Sequence, residues 1–86
     1  MAYTVIIKPA AERTLKKLAP DAQRQVLRVL ENLREIPFPQ GVKKLAGMEL
    51  YRVRSGDYRI VYSVVRNVLQ ILVVKIGHRR EIYGDL

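Results

Sequence analysis

The sequence contains no cysteine and no tryptophan, and it has one histidine and one phenylalanine. Without cysteine neither a disulfide framework nor a zinc finger can be built, which is compatible with a reducing compartment. No apolar stretch reaches the roughly 20 residues that cross a bilayer. The opening residues, Met1 to Pro9, lack the basic start and long apolar run of a secretory signal. The expected location is the cytoplasm, with no membrane partner. Paired carboxylates, a glycine-rich phosphate loop, a Ser-His-Asp set and a metal-binding cluster are also missing. Those enzyme classes are set aside, and no metal or cofactor is expected.

Acids are scarce as well. Eight Asp and Glu face 16 Lys and Arg, a formal net charge of +8. Such an excess steers a small protein toward polyanions: RNA, DNA, anionic membranes or an acidic protein. A merely soluble basic domain is the plainer reading, and what separates the two is where the charges fall. The 86 residues are 49% hydrophobic, enough for one packed domain spanning residues 1–86. No repeat, low-complexity segment or linker interrupts the chain.

Tyr3 to Lys8 is rich in β-branched and aromatic residues and reads as a strand. Pro9 suits the first turn of a helix, where its missing N–H costs nothing. Ala11, Leu15 and Leu18 recur at helical spacing. Pro20 opens a second helix on the same logic, with Ala22, Val26, Val29, Leu30 and Leu33 as its apolar stripe. Pro37 to Gly41 forms a loop that Lys43 to Gly47 continues. Three strands follow: Leu50 to Ser55, Tyr58 to Val65 and Val68 to Ile76. Gly56-Asp57 and Arg66-Asn67 are the turns between them, and the residues after Gly77 read as a polar, irregular tail. The order β-α-α-β-β-β predicts an α+β domain, with a two-helix hairpin on one face of a mostly antiparallel four-stranded sheet.

Side chains alternate across a strand, so each strand splits into two faces. Tyr58, Ile60, Tyr62 and Val64 make a large apolar face that belongs under the helices, which turns Arg59 away from them. Tyr51 and Val53 join the core, so Arg52 and Arg54 go to the opposite side. In the last strand Leu72, Val74 and Ile76 suit the core, placing Lys75 with the arginines. Ordinary solvated faces mix signs, because adjacent like charges repel. A one-sign face suits phosphate binding. With one Phe and no Trp, there is little to build a stacking platform, so phosphates would be held better than unsupported bases.

RNA carries its own nucleophile, the 2′-OH beside each phosphate. Cleavage needs a base for that proton, cations for the anionic phosphorane and an acid for the departing 5′-oxygen. Arginine suits the stabilising role, since its planar fork matches two phosphoryl oxygens. Tyrosine becomes a usable base only where neighbouring cations favour its anion. Tyr83, just after Arg79-Arg80, is the candidate; the alternative is a tail anchor packed on the sheet. His78 is either an acid–base group or a simple hydrogen-bonding residue at a strand end. Lys43, Lys44 and Arg80 read most simply as contacts to an RNA backbone.

Three segments now carry a family resemblance: Leu45-Ala46-Gly47, Tyr51 through Tyr62, and Lys75 through Tyr83. They resemble the RelE toxins of prokaryotic toxin–antitoxin pairs, over nearly the full chain. The Gly56 to Tyr62 segment is shared across the RelE/ParE superfamily, and the His78-Arg79-Arg80-Glu81-Ile82-Tyr83 tail is the more discriminating element. The resemblance implies a ribosome-dependent endoribonuclease that cuts mRNA in the ribosomal A site. It also implies inhibition by an acidic RelB-like antitoxin bound in a heterocomplex. Carried over by position, Arg59 and Arg79 would be the phosphate-stabilising and proton-donating arginines, and Tyr83 the base or an orienting stacker. Arg52 and Arg54 fall where the family often has lysines, and together with Lys43, Lys44, Lys75, His78 and Arg80 they make up the expected phosphate-binding set. The best-known members place more residues between the arginine and the tyrosine than lie between Arg79 and Tyr83.

Other readings stay open. A ParE-like toxin that inhibits a DNA topoisomerase would share the fold but generally lacks the Arg59, Arg79 and Tyr83 set. A non-catalytic basic module that only binds an antitoxin is the third. Arg13, Lys16, Lys17, Arg24 and Arg28 on the helices either grip ribosomal RNA or are solvated faces.

Overall fold

The computed structural model describes residues 2–80; Tyr83 lies outside them. Its elements run β1 (Thr4–Ile7), α1 (Pro9–Lys17), α2 (Pro20–Glu35), β2 (Lys43–Lys44), β3 (Tyr51–Ser55), β4 (Tyr58–Val65), a single 3₁₀ turn (Arg66–Val68) and β5 (Gln70–His78). Both helices begin at proline, with Glu12 or Asp21 in the first turn and basic residues in the last, matching charge to the helix dipole. The first helix stops because Ala19 precedes Pro20 and is held extended, at φ −57° and ψ 150°. Gln23 Nε2 donates to the Leu15 carbonyl at 3.1 Å and closes the helical hairpin.

The strands form a five-stranded sheet in the order β1-β5-β4-β3-β2. Every pairing is antiparallel except β1 with β5, which is parallel. This is the expected α+β arrangement with one strand more than expected. The addition is β2, two lysines paired to Arg52 and Tyr51. It is too short to show any alternation in sequence.

Ala11, Leu15, Val26, Leu30 and Leu33 from the helices meet Val53, Ile60, Tyr62, Ile71, Val73 and Ile76 from the sheet in one buried core. Each fully buried aliphatic side chain contributes about 1.5–3 kcal/mol. Tyr62 is fully buried, and its hydroxyl donates to the Pro37 carbonyl at 2.7 Å, fastening the loop after α2. Burial, with Tyr51 adding to it, pushes that hydroxyl well above the ordinary tyrosine range. Phe38 packs edge-on against Tyr51 at 4.9 Å and carries Arg66 over its ring at 5.0 Å.

Three expectations are corrected in the last hairpin. The turn is not Arg66-Asn67: Val65 pairs with Gln70, so four residues lie between, ending with Leu69 in the left-handed region at φ 52°. The last strand also runs Gln70–His78 and not Val68 to Ile76. Leu72 and Val74 are not core residues; Ile71 and Val73 are. The reason is a β-bulge. Val61 pairs with Lys75 while its neighbour Tyr62 pairs with Val73, leaving Val74 as an extra residue. One extra residue reverses which side every earlier residue faces. Ile76, beyond the bulge, keeps its predicted side.

Candidate phosphate-binding face

The ladder registers place cations in rows on the face away from the helices. Lys43 pairs with Arg52, Arg52 with Val61, and Val61 with Lys75, so one row crosses four strands. The next row is Arg54 opposite Arg59, and Arg59 opposite Gly77. β3, β4 and β5 contain no Asp or Glu. On the helices cations sit beside acids, as in Lys16 with Glu12, Arg24 with Asp21 and Arg34 with Glu31. The other half of this face, toward β1, is neutral: Thr4 pairs with Gln70, Ile6 with Leu72 and Ser63 with Leu72.

Arg52 is the unusual member. Only 8% of it is exposed, and its Nε is buried with no hydrogen-bond partner among the described residues. Val61, its neighbour in the row, is 0% exposed and stands between Arg52 and Lys75, whose aliphatic stems can cover an apolar floor. A buried guanidinium N–H left without a partner is costly, because its desolvation is not offset by a hydrogen bond. Such a group is ready for an anionic ligand.

Arg59 is held from the other end of the face. Its Nη1 donates to the Gly56 and Tyr58 carbonyls, each at 3.1 Å, and among the described residues Nε and Nη2 are left for a ligand. The hairpin that carries it turns at Gly56-Asp57 with φ +60° at Gly56, the positive φ that glycine supplies in two-residue hairpin loops. Arg79 comes to the same end. Its N–H donates to the Asp57 carbonyl at 2.8 Å, which extends the β4–β5 ladder by one residue and gives Arg79 the parity of Gly77 and Lys75.

With that geometry in place, known proteins can be compared. A family model described as the ParE toxin of the type II toxin–antitoxin system parDE matches residues 5–83. A Methanocaldococcus jannaschii protein named as toxin RelE1 is 32% identical, with 99% of each chain covered. The Escherichia coli mRNA interferase toxin RelE is 30% identical, over 99% of this chain and 94% of that one. The archaeal RelE solved in complex with RelB from Pyrococcus horikoshii superposes with a TM-score of 0.82 at 34% identity, covering 92% of this chain and 97% of that one. The chain belongs to the RelE family of toxins.

In this RelE family chain the expected site residues fall into separate groups. Lys43, Arg52, Arg54, Arg59 and Lys75 share one face, with Arg79 at its end. Lys44 does not join them: it pairs with Tyr51, on the helix side, and its Nζ lies 3.3 Å from Glu49. His78 also lies on the helix side, opposite Tyr58. Arg80 is exposed beyond the strand, and Tyr83 is not among the described residues. Two features of the face were not anticipated, the apolar floor at Val61 and the side-chain gap at Gly77 opposite Arg59. Val61 was legible by alternation alone. Gly77 follows from alternation too, two residues past Lys75 in a stretch that the bulge does not touch.

Proposed function

We propose that this chain is the cytoplasmic toxin of a type II toxin–antitoxin pair, a ribosome-dependent endoribonuclease that cuts mRNA in the A site. The observation that carries this reading is Arg52, buried with an Nε unpaired among the described residues, on a face whose strands β3, β4 and β5 contribute no Asp or Glu. In the reaction the 2′-OH attacks the adjacent phosphorus and loses its proton to a base, while the 5′-oxygen leaves with a proton from an acid. Arg52, Arg54 and Arg59 stabilise the phosphorane, using guanidinium charge where other nucleases use a metal ion. Arg79 is the proton-donating arginine and Tyr83 the base, as the family resemblance implies. Lys43, Lys75 and Arg80 extend the phosphate grip. The scarcity of stacking aromatics fits a substrate that the ribosome holds and presents. The partner is an acidic RelB-like antitoxin, a reading supported by the RelE–RelB complex of the archaeal relative, and charge complementarity puts it on the cationic face.

The direct test is an mRNA carrying a single 2′-deoxynucleotide at the cut codon on programmed ribosomes. Cleavage at that codon should disappear, and it should persist in EDTA-treated protein on intact ribosomes for an unmodified message. Cutting that survives the 2′-deoxy change would overturn the mechanism. A ParE-like reading is favoured by the description of the matching family model; accumulation of topoisomerase–DNA complexes with intact mRNA would establish it instead.

A further inference from the structure

We propose that His78 is a positioning residue, whose Nδ1 holds the Arg80 amide and so fixes the turn that presents Arg79 at the end of the cationic face. The proposal deepens the ribonuclease reading and rests on it. His78 faces away from Arg54 and Arg59, so it cannot touch a phosphate held between them. Its imidazole sits edge-on to Tyr58, with centroids 5.8 Å apart and planes at 84°. The ring borders a cleft of about 520 Å³ with Thr14, Lys17 and Leu18 of the first helical segment.

What the ring does is local. Nδ1 accepts a hydrogen bond from the Arg80 N–H at 3.3 Å, while the preceding N–H, of Arg79, is held by the Asp57 carbonyl at 2.8 Å. Two successive amides are therefore tied, one to the β3–β4 turn and one to the imidazole. Together they set the backbone angles on both sides of the Arg79 Cα, and hence the direction of its side chain. The Tyr58 contact holds the ring plane, so the acceptor is pre-aimed. Chain that has left a sheet has no ladder to order it, and a fixed acceptor at the exit substitutes for one.

Asparagine places Oδ1 where histidine has Nδ1, whereas phenylalanine keeps a ring for Tyr58 and removes the acceptor. His78→Phe should lower the turnover of ribosome-bound mRNA by about 10²-fold, the scale of loss from a misplaced catalytic group, with KM nearly unchanged. His78→Asn should recover most of that loss. Hydrogen exchange at the Arg80 amide should be fast in His78→Phe and slow in wild type and His78→Asn. Wild-type turnover in His78→Phe, or a slow Arg80 amide in that variant, would overturn the proposal. So would His78→Asn, folded, failing as badly as His78→Phe. If the wild-type protein leaves mRNA intact, the ribonuclease reading fails on its own, and the exchange comparison still decides the contact.

Discussion

Arg54 and Arg59 stand directly opposite each other across β3 and β4, two cations on one face of strands that contain no acid. Directly opposed like charges destabilise a sheet by roughly 0.2–1 kcal/mol. Arg54→Gln should therefore raise stability by about that amount, read as a small rise in thermal midpoint. The same variant should lose cleavage at least about 10-fold. A lower midpoint would mean that Arg54 stabilises the fold, and the face would then not be strained for function.

Arg52 makes the same point more strongly. Arg52→Met keeps an unbranched apolar stem beside Val61 and removes the orphaned Nε, whose burial costs about 1–3 kcal/mol. The urea midpoint should rise with an unchanged m-value. RNA binding should weaken, and the slope of log K against log salt should fall by about 1. An unchanged slope would show that Arg52 meets no phosphate.

How far the sequence leads depends on parity. Arg52, Arg54 and Arg59 were legible because β3 and β4 alternate without interruption and the large residues Tyr58, Ile60 and Tyr62 declare one side. Past Val74 the same rule misassigned Leu72, since the bulge leaves no mark in residue types. Lys43 reached the face through a two-residue strand that no pattern announces. The side on which His78 lies follows from alternation past Ile76, once the strand is known to run on to His78. Tyr83 was named from the family resemblance and from its place after Arg79-Arg80, and its position lies outside the described residues.

Gly56 tests how the turn supports Arg59. Its φ of +60° is strained for any residue with a Cβ, and a methyl there would meet Gln25 Oε1 at 3.3 Å, the end of a side chain that can move. Gly56→Ala should cost about 1–2 kcal/mol, chiefly through the backbone. Gly56→Asn should cost less, because Asn tolerates the left-handed region. Equal losses for the two would place the penalty in the Gln25 contact.

Tyr62 links stability to alkaline pH. Its hydroxyl bond to the Pro37 carbonyl should make Tyr62→Phe about 1–2 kcal/mol less stable at neutral pH. Because burial raises the folded-state pKa of this phenol, the unfolded chain gives up the proton first as pH rises. The stability Tyr62 contributes is whole below about pH 10 and is lost progressively above it. Wild type should therefore lose stability more steeply than Tyr62→Phe on going above about pH 10. Parallel curves would show that the hydroxyl is not desolvated.

The central claim is that the cationic face cuts mRNA on the ribosome, and mapping of mRNA 5′ ends in a translating extract tests it most directly. The wild-type protein should create new ends at ribosome-occupied codons. Those ends should vanish when translation initiation is blocked, and in folded Arg59→Ala, Arg79→Ala and Tyr83→Phe proteins. Unchanged mRNA ends in the presence of active, growth-arresting wild-type protein would contradict the account.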